Sequence, residues 1–442
     1  MEVPRRARLP EAVRIREIWV RNFKSLRDVR VELRGFNLLI GPNRSGKTNF
    51  LEALRLLRAV YFPEPGEDIN PFQLWWSYDR VVWRRDEKLP ITIGLRLDVM
   101  GYEVDFETTF TGVGGAFRFL REVVDVRGVV RLEKNGEMLL IRHDPDFLRW
   151  AWPEAEEERP GWLEGWTEEG LLRYEVDVDR RSGFLQLYGH GMAASALESI
   201  SVIWLLGRRA LILSPSIHDP EFGCIPLVSL VHDALTWLVA DYLMLWPLDA
   251  RRIRKQLPRP VRERRLSEDA LNLHNVLFNL WIRNGGRLPG RIEAAIRDIF
   301  GPDVRITFDL TIDGRIYMRV FEGDLLLDPP MISDGFHKVL AILTAVETGP
   351  SILAIDELEN SLHLEAIERI LDDLREAGCV VIATTHSPLV IDQVDPADII
   401  FVDRDEEGAT IMWRVKDPEA LKRKLAEKGI TLSEGWLYGR IR

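Results

Sequence analysis

Phe36-Asn37-Leu38-Leu39-Ile40 is an apolar run, and Gly41-Pro42-Asn43-Arg44-Ser45-Gly46-Lys47-Thr48 follows it directly. A glycine, four residues and then Gly-Lys-Thr is the pattern of a phosphate-binding loop, provided that a buried strand precedes it and a helix follows. Both flanks fit. Phe50, Leu51, Leu54 and Leu57 recur at helical spacing from about Thr48 to Val60. Gly41 and Gly46 let the backbone wrap so that consecutive N–H groups face an anion, and the helix start adds partial positive charge. Residues Gly41 to Thr48, with the adjoining Asn49, are therefore candidate ATP contacts. Lys47 would hold the β- and γ-phosphates, and the Thr48 hydroxyl would sit on Mg²⁺.

Two further apolar runs end in chemistry. Ile352-Leu353-Ala354-Ile355 closes on Asp356-Glu357, and Val380-Val381-Ile382-Ala383-Thr384-Thr385 closes on His386. Asp356 at a strand tip suits the metal, while Glu357 beside it suits orientation and deprotonation of an attacking water. Ligands of parallel sheets gather off the C-terminal strand ends, which favours His386 as a γ-phosphate neighbour. With Ile399 to Val402, these runs predict parallel strands joined by helical crossovers.

Outside this region the chain suggests more structure. Arg14 to Val20 and Val29 to Ile40 read as strands, Pro90 to Leu140 as antiparallel strands, Ala193 to Phe300 as mainly helical, and Arg305 to Phe321 as strands again. Trp150 to Gly170 is acidic and tryptophan-rich, and Trp152, Trp162 and Trp166 could anchor an interface or pack a lobe. The expected fold class is α/β: a P-loop NTPase with a mixed or parallel sheet core, an antiparallel β subdomain and an inserted helical lobe. The expected division is 1–62 and 301–442 for the head, 63–190 for the antiparallel part and 191–300 for the lobe.

With 442 residues and 46% apolar content, the chain can bury cores for two or three domains, or for one domain with an inserted lobe. A net charge of −11 argues against a coat of positive charge for non-specific nucleic-acid binding. Two distant cysteines, Cys224 and Cys379, do not make a disulfide framework or a zinc site. Met1 to Pro10 carries arginines with no apolar stretch behind them, and His232, Asp233 and Asp241 interrupt the apolar segment Ile225 to Trp246. The expectation is no signal peptide, no membrane span, a buried amphipathic helix over 225–246 and a cytoplasmic protein.

In this order the pieces resemble the ABC-type ATPases of the SMC, RecF and OLD (overcoming lysogenization defect) group. Ile18-Trp19-Val20-Arg21-Asn22-Phe23-Lys24-Ser25-Leu26 looks like the N-terminal signature of that group, which implies that Arg21, Asn22, Phe23 and Lys24 lie near the nucleotide. Ile332-Ser333-Asp334-Gly335-Phe336 is similar to the segment with which one subunit caps the γ-phosphate bound to the other, with Ser333 and Gly335 in the contacting positions. Asn360-Ser361-Leu362-His363 matches the loop that touches the partner, and His386 matches the switch histidine. Arg44 stands where glycine is common in the loop, Asp334 replaces a usual signature glycine as it does in the OLD-like and related standalone ATPases, and Gln73 is a candidate for the glutamine loop. The resemblance covers the first sixty residues and roughly the last 170.

The middle segments Leu248 to Arg254 and Leu271 to Leu277, and the ending Leu432 to Gly439, look like the standalone OLD-like subfamily. No heptad repeat predicts long coiled-coil arms, and the 56 residues after His386 are few for a fused Toprim domain. The likeness implies an ATPase that forms a homodimer around ATP and Mg²⁺ and gates a separately encoded effector, such as a nuclease in anti-phage defence. The alternatives are an ATP-gated scaffold with little turnover and a RecF-like DNA repair ATPase. The latter draws on Arg251, Arg252, Arg254, Lys255, Arg259, Arg262, Arg264 and Arg265, a cluster that suits DNA phosphate, an acidic partner or a solvated surface.

Overall fold

The computed structural model describes residues 13–63, 70–136, 138–143, 171–175, 216–219, 223–327 and 331–437. The acidic stretch Trp150 to Gly170, with its three tryptophans, lies outside the described residues. The chain divides into two compact units: Met1–Leu33 with Glu52–Ala240 and Arg404–Ile411, and Arg34–Leu51 with Asp241–Asp403 and Met412–Arg442.

The first unit is built on an antiparallel sheet. Strands β1 (Val13–Phe23) and β2 (Leu26–Glu32) form a hairpin, and β3 (Phe36–Ile40) belongs to the second unit. β4 (Ile91–Val99), β5 (Tyr102–Thr111), β6 (Arg118–Val126), β7 (Val130–Asn135), β8 (Met138–His143) and β9 (Leu171–Glu175) complete the order β2-β1-β4-β5-β6-β7-β8-β9. Burial alternates along these strands, as in β5 at Val104, Phe106, Thr108 and Phe110, because one face of the sheet is covered. β10 (Ser216–Asp219) and β11 (Gly223–Pro226) make a separate hairpin.

Helix α1 (Lys47–Tyr61) begins at the glycine-rich loop, and its residues from Glu52 onward lie in the first unit. There the Tyr61 hydroxyl donates to Glu122 at 2.5 Å, and Lys134 Nζ donates to the same carboxylate at 3.2 Å. Glu122 and Lys134 are both buried. Removing the carboxylate takes the anionic partner from a buried ammonium ion, so Glu122→Ala should destabilise the protein by about 3–5 kcal/mol, measured by urea unfolding. Glu122→Ala with Lys134→Met should recover most of that loss; an equal loss in both would show that the charge is not the cause.

The second unit holds a six-stranded sheet of order β12-β16-β17-β3-β18-β19, from β12 (Tyr242–Leu245), β16 (Ile352–Ile355), β17 (Val380–Thr385), β18 (Ile399–Arg404) and β19 (Thr410–Trp413). The pairs from β12 through β18 are parallel. β3, β12 and β16 are buried at every residue, the pattern of a sheet covered on both faces. β13 (Val304–Leu310), β14 (Ile316–Glu322) and β15 (Leu325–Leu327) form a small antiparallel sheet, close to the expected position. Among the described residues the helices after α1 are α2 (Leu227–Ala240), α3 (Ala250–Arg254), α4 (Leu273–Arg283), α5 (Gly290–Phe300), α6 (Asp334–Thr348), α7 (Leu364–Arg375), α8 (Pro388–Asp392), α9 (Pro418–Lys428) and α10 (Leu432–Leu437). α6 is buried from Phe336 to Val346, as a central helix should be.

Two expected elements are corrected. The single strand expected over Val29 to Ile40 is β2 and β3, parted at residues 33–35. Asn37, buried at the start of β3, accepts from Arg34 N–H at 2.9 Å and donates to the carbonyls of Arg34 and Val381, so its side chain builds the turn between them. The helix expected over 225–246 stops at Ala240, and Tyr242-Leu243-Met244-Leu245 is a strand paired with β16. A four-residue apolar run fits either element until its partner is known.

Candidate nucleotide site

β3 delivers the chain into the glycine-rich loop. Gly41 is buried, and a Cβ there would meet the Val402 carbonyl at 2.1 Å, so glycine is required. Gly46 has φ +114°, and Ser45 N–H closes the turn on the Pro42 carbonyl at 3.2 Å. Arg44 also sits in the left-handed region, at φ +66°, which explains why glycine is common at its position. Its side chain and those of Pro42 and Asn43 are exposed, while Ser45 is buried and Asn49 half-buried.

Lys47 heads α1 and is buried. Its ammonium donates to the carbonyls of Gly41 and Pro42 at 2.9 and 3.1 Å. Burial pulls its pKa down to about 8, against the opposing pull of Asp356, Glu359 and Glu357. The Thr48 hydroxyl lies 3.1 and 3.2 Å from the two oxygens of Asp356. A hydroxyl and a carboxylate meeting beside a loop of N–H groups suit a hard cation that keeps phosphate and water as its other ligands. Among the described residues no three His, Cys, Asp or Glu side chains gather to hold a metal unaided, so Mg²⁺ here would rely on the nucleotide.

The sheet order explains how Asp356 arrives. β17 lies between β16 and β3, and its Thr384 hydroxyl donates to Asp356 at 2.7 Å while accepting the Glu357 N–H at 2.9 Å. Glu357 is exposed and held at φ +52°, a costly conformation for a non-glycine residue. Burial, followed by the nearby Lys47 charge, lowers the pKa of His386. Its N–H donates to Glu359 at 2.7 Å, and Thr385 donates to the other Glu359 oxygen at 2.8 Å.

Three residues at this site were not singled out from the sequence. Thr384 bridges the acidic pair and Glu359 fixes the end of β17. Lys338, buried on α6, donates to the Glu357 carbonyl at 3.3 Å, and burial draws its pKa down to about 8 against the pull of Glu359, Asp356 and Glu357. The spacing of Glu359 after Asp356 could have flagged it; the reach of Lys338 could not be read without the fold.

Ser333 caps α6, its hydroxyl accepting from Phe336 N–H at 3.1 Å, and is exposed. A Cβ on Gly335 would come 2.6 Å from the Ser361 carbonyl, so the turn packs on the loop that carries Asn360 and Ser361, both exposed. In the first unit, Arg21 pairs with Asp28 and Asn22 donates to the Pro90 carbonyl. Phe23 is buried, and Lys24 pairs with Glu52 while lying over the rings of Phe23 and Trp75. Gln73 is exposed on a 3₁₀ turn.

Residues 240–392 match the family described as "AAA domain, putative AbiEii toxin, Type IV TA system", and residues 14–73 match "AAA ATPase domain". Over these two segments the chain carries an AAA-type ATPase domain. The second of these segments of the ATPase domain contains the phosphate loop, and the first contains Ser333, Asp356, Glu357 and His386.

Solved structures similar to the chain include an SmcHead bound to the C-winged helix domain of ScpA, 12% identical, covering 92% of this chain and 99% of that one at TM-score 0.48. The SMC head domain from Thermotoga maritima is also 12% identical, over 91% and 100%, at TM-score 0.39. An Smc head domain with an extended coiled coil, bound to the C-terminal domain of ScpA derived from Pyrococcus furiosus, is 13% identical over 94% and 99%, at TM-score 0.45. No curated protein matches the chain. At these similarities the fold of the ATPase domain rests on its own sheet order and phosphate loop.

The basic cluster is partly committed to internal pairs. Arg254 pairs with Asp334 and Arg265 with Asp241, while Arg251, Arg252, Lys255, Arg259, Arg262 and Arg264 are exposed. The backbone beneath them is pinned to α4, where Asn279 donates to the carbonyls of Val261 and Glu263 at 2.7 and 3.1 Å. Cys379 is a half-buried free thiol whose pKa burial pushes up to about 12, which leaves it inert. Among the described residues no helix is long and apolar enough to cross a membrane.

Proposed function

We propose that this chain binds and hydrolyses ATP with Mg²⁺ and dimerises around the nucleotide, and that the resulting clamp gates a separately encoded effector such as a nuclease in phage defence. The observation that carries the reading is the meeting of Thr48 with Asp356 at 3.1 Å beside the glycine-rich loop. Lys47 and the N–H groups of Gly41 to Thr48 hold the triphosphate, with Asn49 adjoining. Thr48 and Asp356 hold Mg²⁺, which when bound neutralises charge on the β- and γ-phosphates. Glu357 orients the attacking water and takes its proton, and His386, kept neutral by its surroundings, meets the γ-phosphate. Ser333 and Gly335 of a second copy close the site. The working division is a head from 1–62 and 301–442, an antiparallel subdomain over 63–190 and a lobe over 191–300 that lends β12 to the sheet.

The test is mass in solution. Adding ATP with Mg²⁺ should double the 51.0 kDa species in light scattering, while ADP should not. An unchanged mass with ATP bound would remove the nucleotide-bound dimer from the account, and turnover measured with and without DNA and candidate partners separates the scaffold reading. The exposed side chains of Arg251, Arg252 and Arg259 support a second reading, contact with DNA phosphate. Changing those three to Glu should abolish a mobility shift of duplex DNA; an unaltered shift removes the cluster from DNA binding.

A further inference from the structure

α3 ends on Arg254, and its guanidinium reaches the first residue of α6, where Nη2 pairs with the Asp334 carboxylate. The short helix is well anchored. Asp249 caps it by accepting from the N–H groups of Arg251 and Arg252 at 3.1 and 3.2 Å, and Ile253 is buried in the core. Arg254 therefore departs from its basic neighbours: its side chain is 20% exposed, while Arg251, Arg252 and Lys255 are open to water.

Asp334 presents an electrostatic problem. A carboxylate in the first turn stabilises a helix, but it repels an anion brought to that same turn. Its side chain is 52% exposed, between Ser333 and Gly335. Gly335, the next residue, packs on the Ser361 carbonyl, which holds the backbone of the turn against that loop. Three neighbouring ionisable groups are engaged elsewhere. His337 is buried and tied by Nδ1 to the Ser333 carbonyl at 3.1 Å, and His274 of α4, 6.3 Å from it, is buried and tied to the Gln256 carbonyl. Lys338 is committed to the Glu357 carbonyl.

We infer that Arg254 is a positioning residue for the proposed reaction: it neutralises Asp334 and ties the Ser333–Gly335 turn to α3, so that the turn can receive the triphosphate held by a second copy of this chain. The inference rests on the reading of Ser333 and Gly335 given above.

The test measures turnover and dimer formation against ATP concentration with the full-length chain and Mg²⁺. Arg254→Ala should raise the ATP concentration for half-maximal dimer formation by about five- to tenfold. Adding Asp334→Gly to it should restore the value to within about twofold of wild type, because the uncompensated charge is gone. A purely structural role for Arg254 predicts the reverse, since glycine at the first turn weakens the helix further. Wild-type behaviour of Arg254→Ala, or a double variant no better than the single one, overturns the inference. Ser333→Arg, measured alongside, separates the two claims. If it leaves dimer formation intact, the reading of the turn fails and the inference fails with it; if it blocks dimer formation while Arg254→Ala does not, the inference alone fails.

Discussion

Glu357→Gln is expected to lower kcat for ATP hydrolysis by about 10²–10⁴-fold while leaving ATP bound, so that the protein accumulates as a nucleotide-filled dimer. The substitution keeps the shape of the side chain and removes its negative charge and the proton acceptor. The backbone contacts here do not use the carboxylate: the Glu357 N–H is held by Thr384, and its carbonyl is reached by Lys338. The backbone at φ +52° is maintained by these contacts and should survive the change. Steady-state turnover measured with light scattering gives both readouts. Undiminished turnover would remove Glu357 from the mechanism.

Lys47→Ala is expected to weaken ATP binding by at least about 100-fold, which is the loss of one or two charge-assisted hydrogen bonds to phosphate. Lys47 is buried beside the loop, and its ammonium bridges the Gly41 and Pro42 carbonyls. A cation kept in so confined a place, with its pKa lowered by burial, is justified chemically by an anion arriving next to it. Isothermal titration with ATP and Mg²⁺ measures the loss, and circular dichroism checks that the loop still folds. Binding within about threefold of wild type would mean that the triphosphate lies elsewhere.

What could be read from the sequence was local. The phosphate loop is contiguous, and its two flanks carry their own periodicities, so the strand's end, the turn and the helix could be placed within a residue or so. Asp356 and His386 were visible because each closes an apolar run. What could not be read was pairing across the chain. The insertion of β17 between β16 and β3 places Thr384 against Asp356, and nothing near Thr384 in the sequence announces this. Tyr242 to Leu245 is a strand only because Ile352 to Ile355 lies beside it. The arginine cluster read as one surface until Arg254 and Arg265 were seen to be paired with Asp334 and Asp241. Asn37 shows the opposite failure: its effect is local, yet an apolar run containing one asparagine still reads as a continuous strand.

The most direct measurement is anomalous scattering from Mn²⁺ in crystals of the full-length protein grown with a non-hydrolysable ATP analogue. A manganese peak bonded to the Thr48 hydroxyl and adjoining Asp356, with the analogue's phosphates lying along residues 41–48, is the predicted result. An analogue bound away from that loop, or a manganese ion remote from both Thr48 and Asp356, would contradict it.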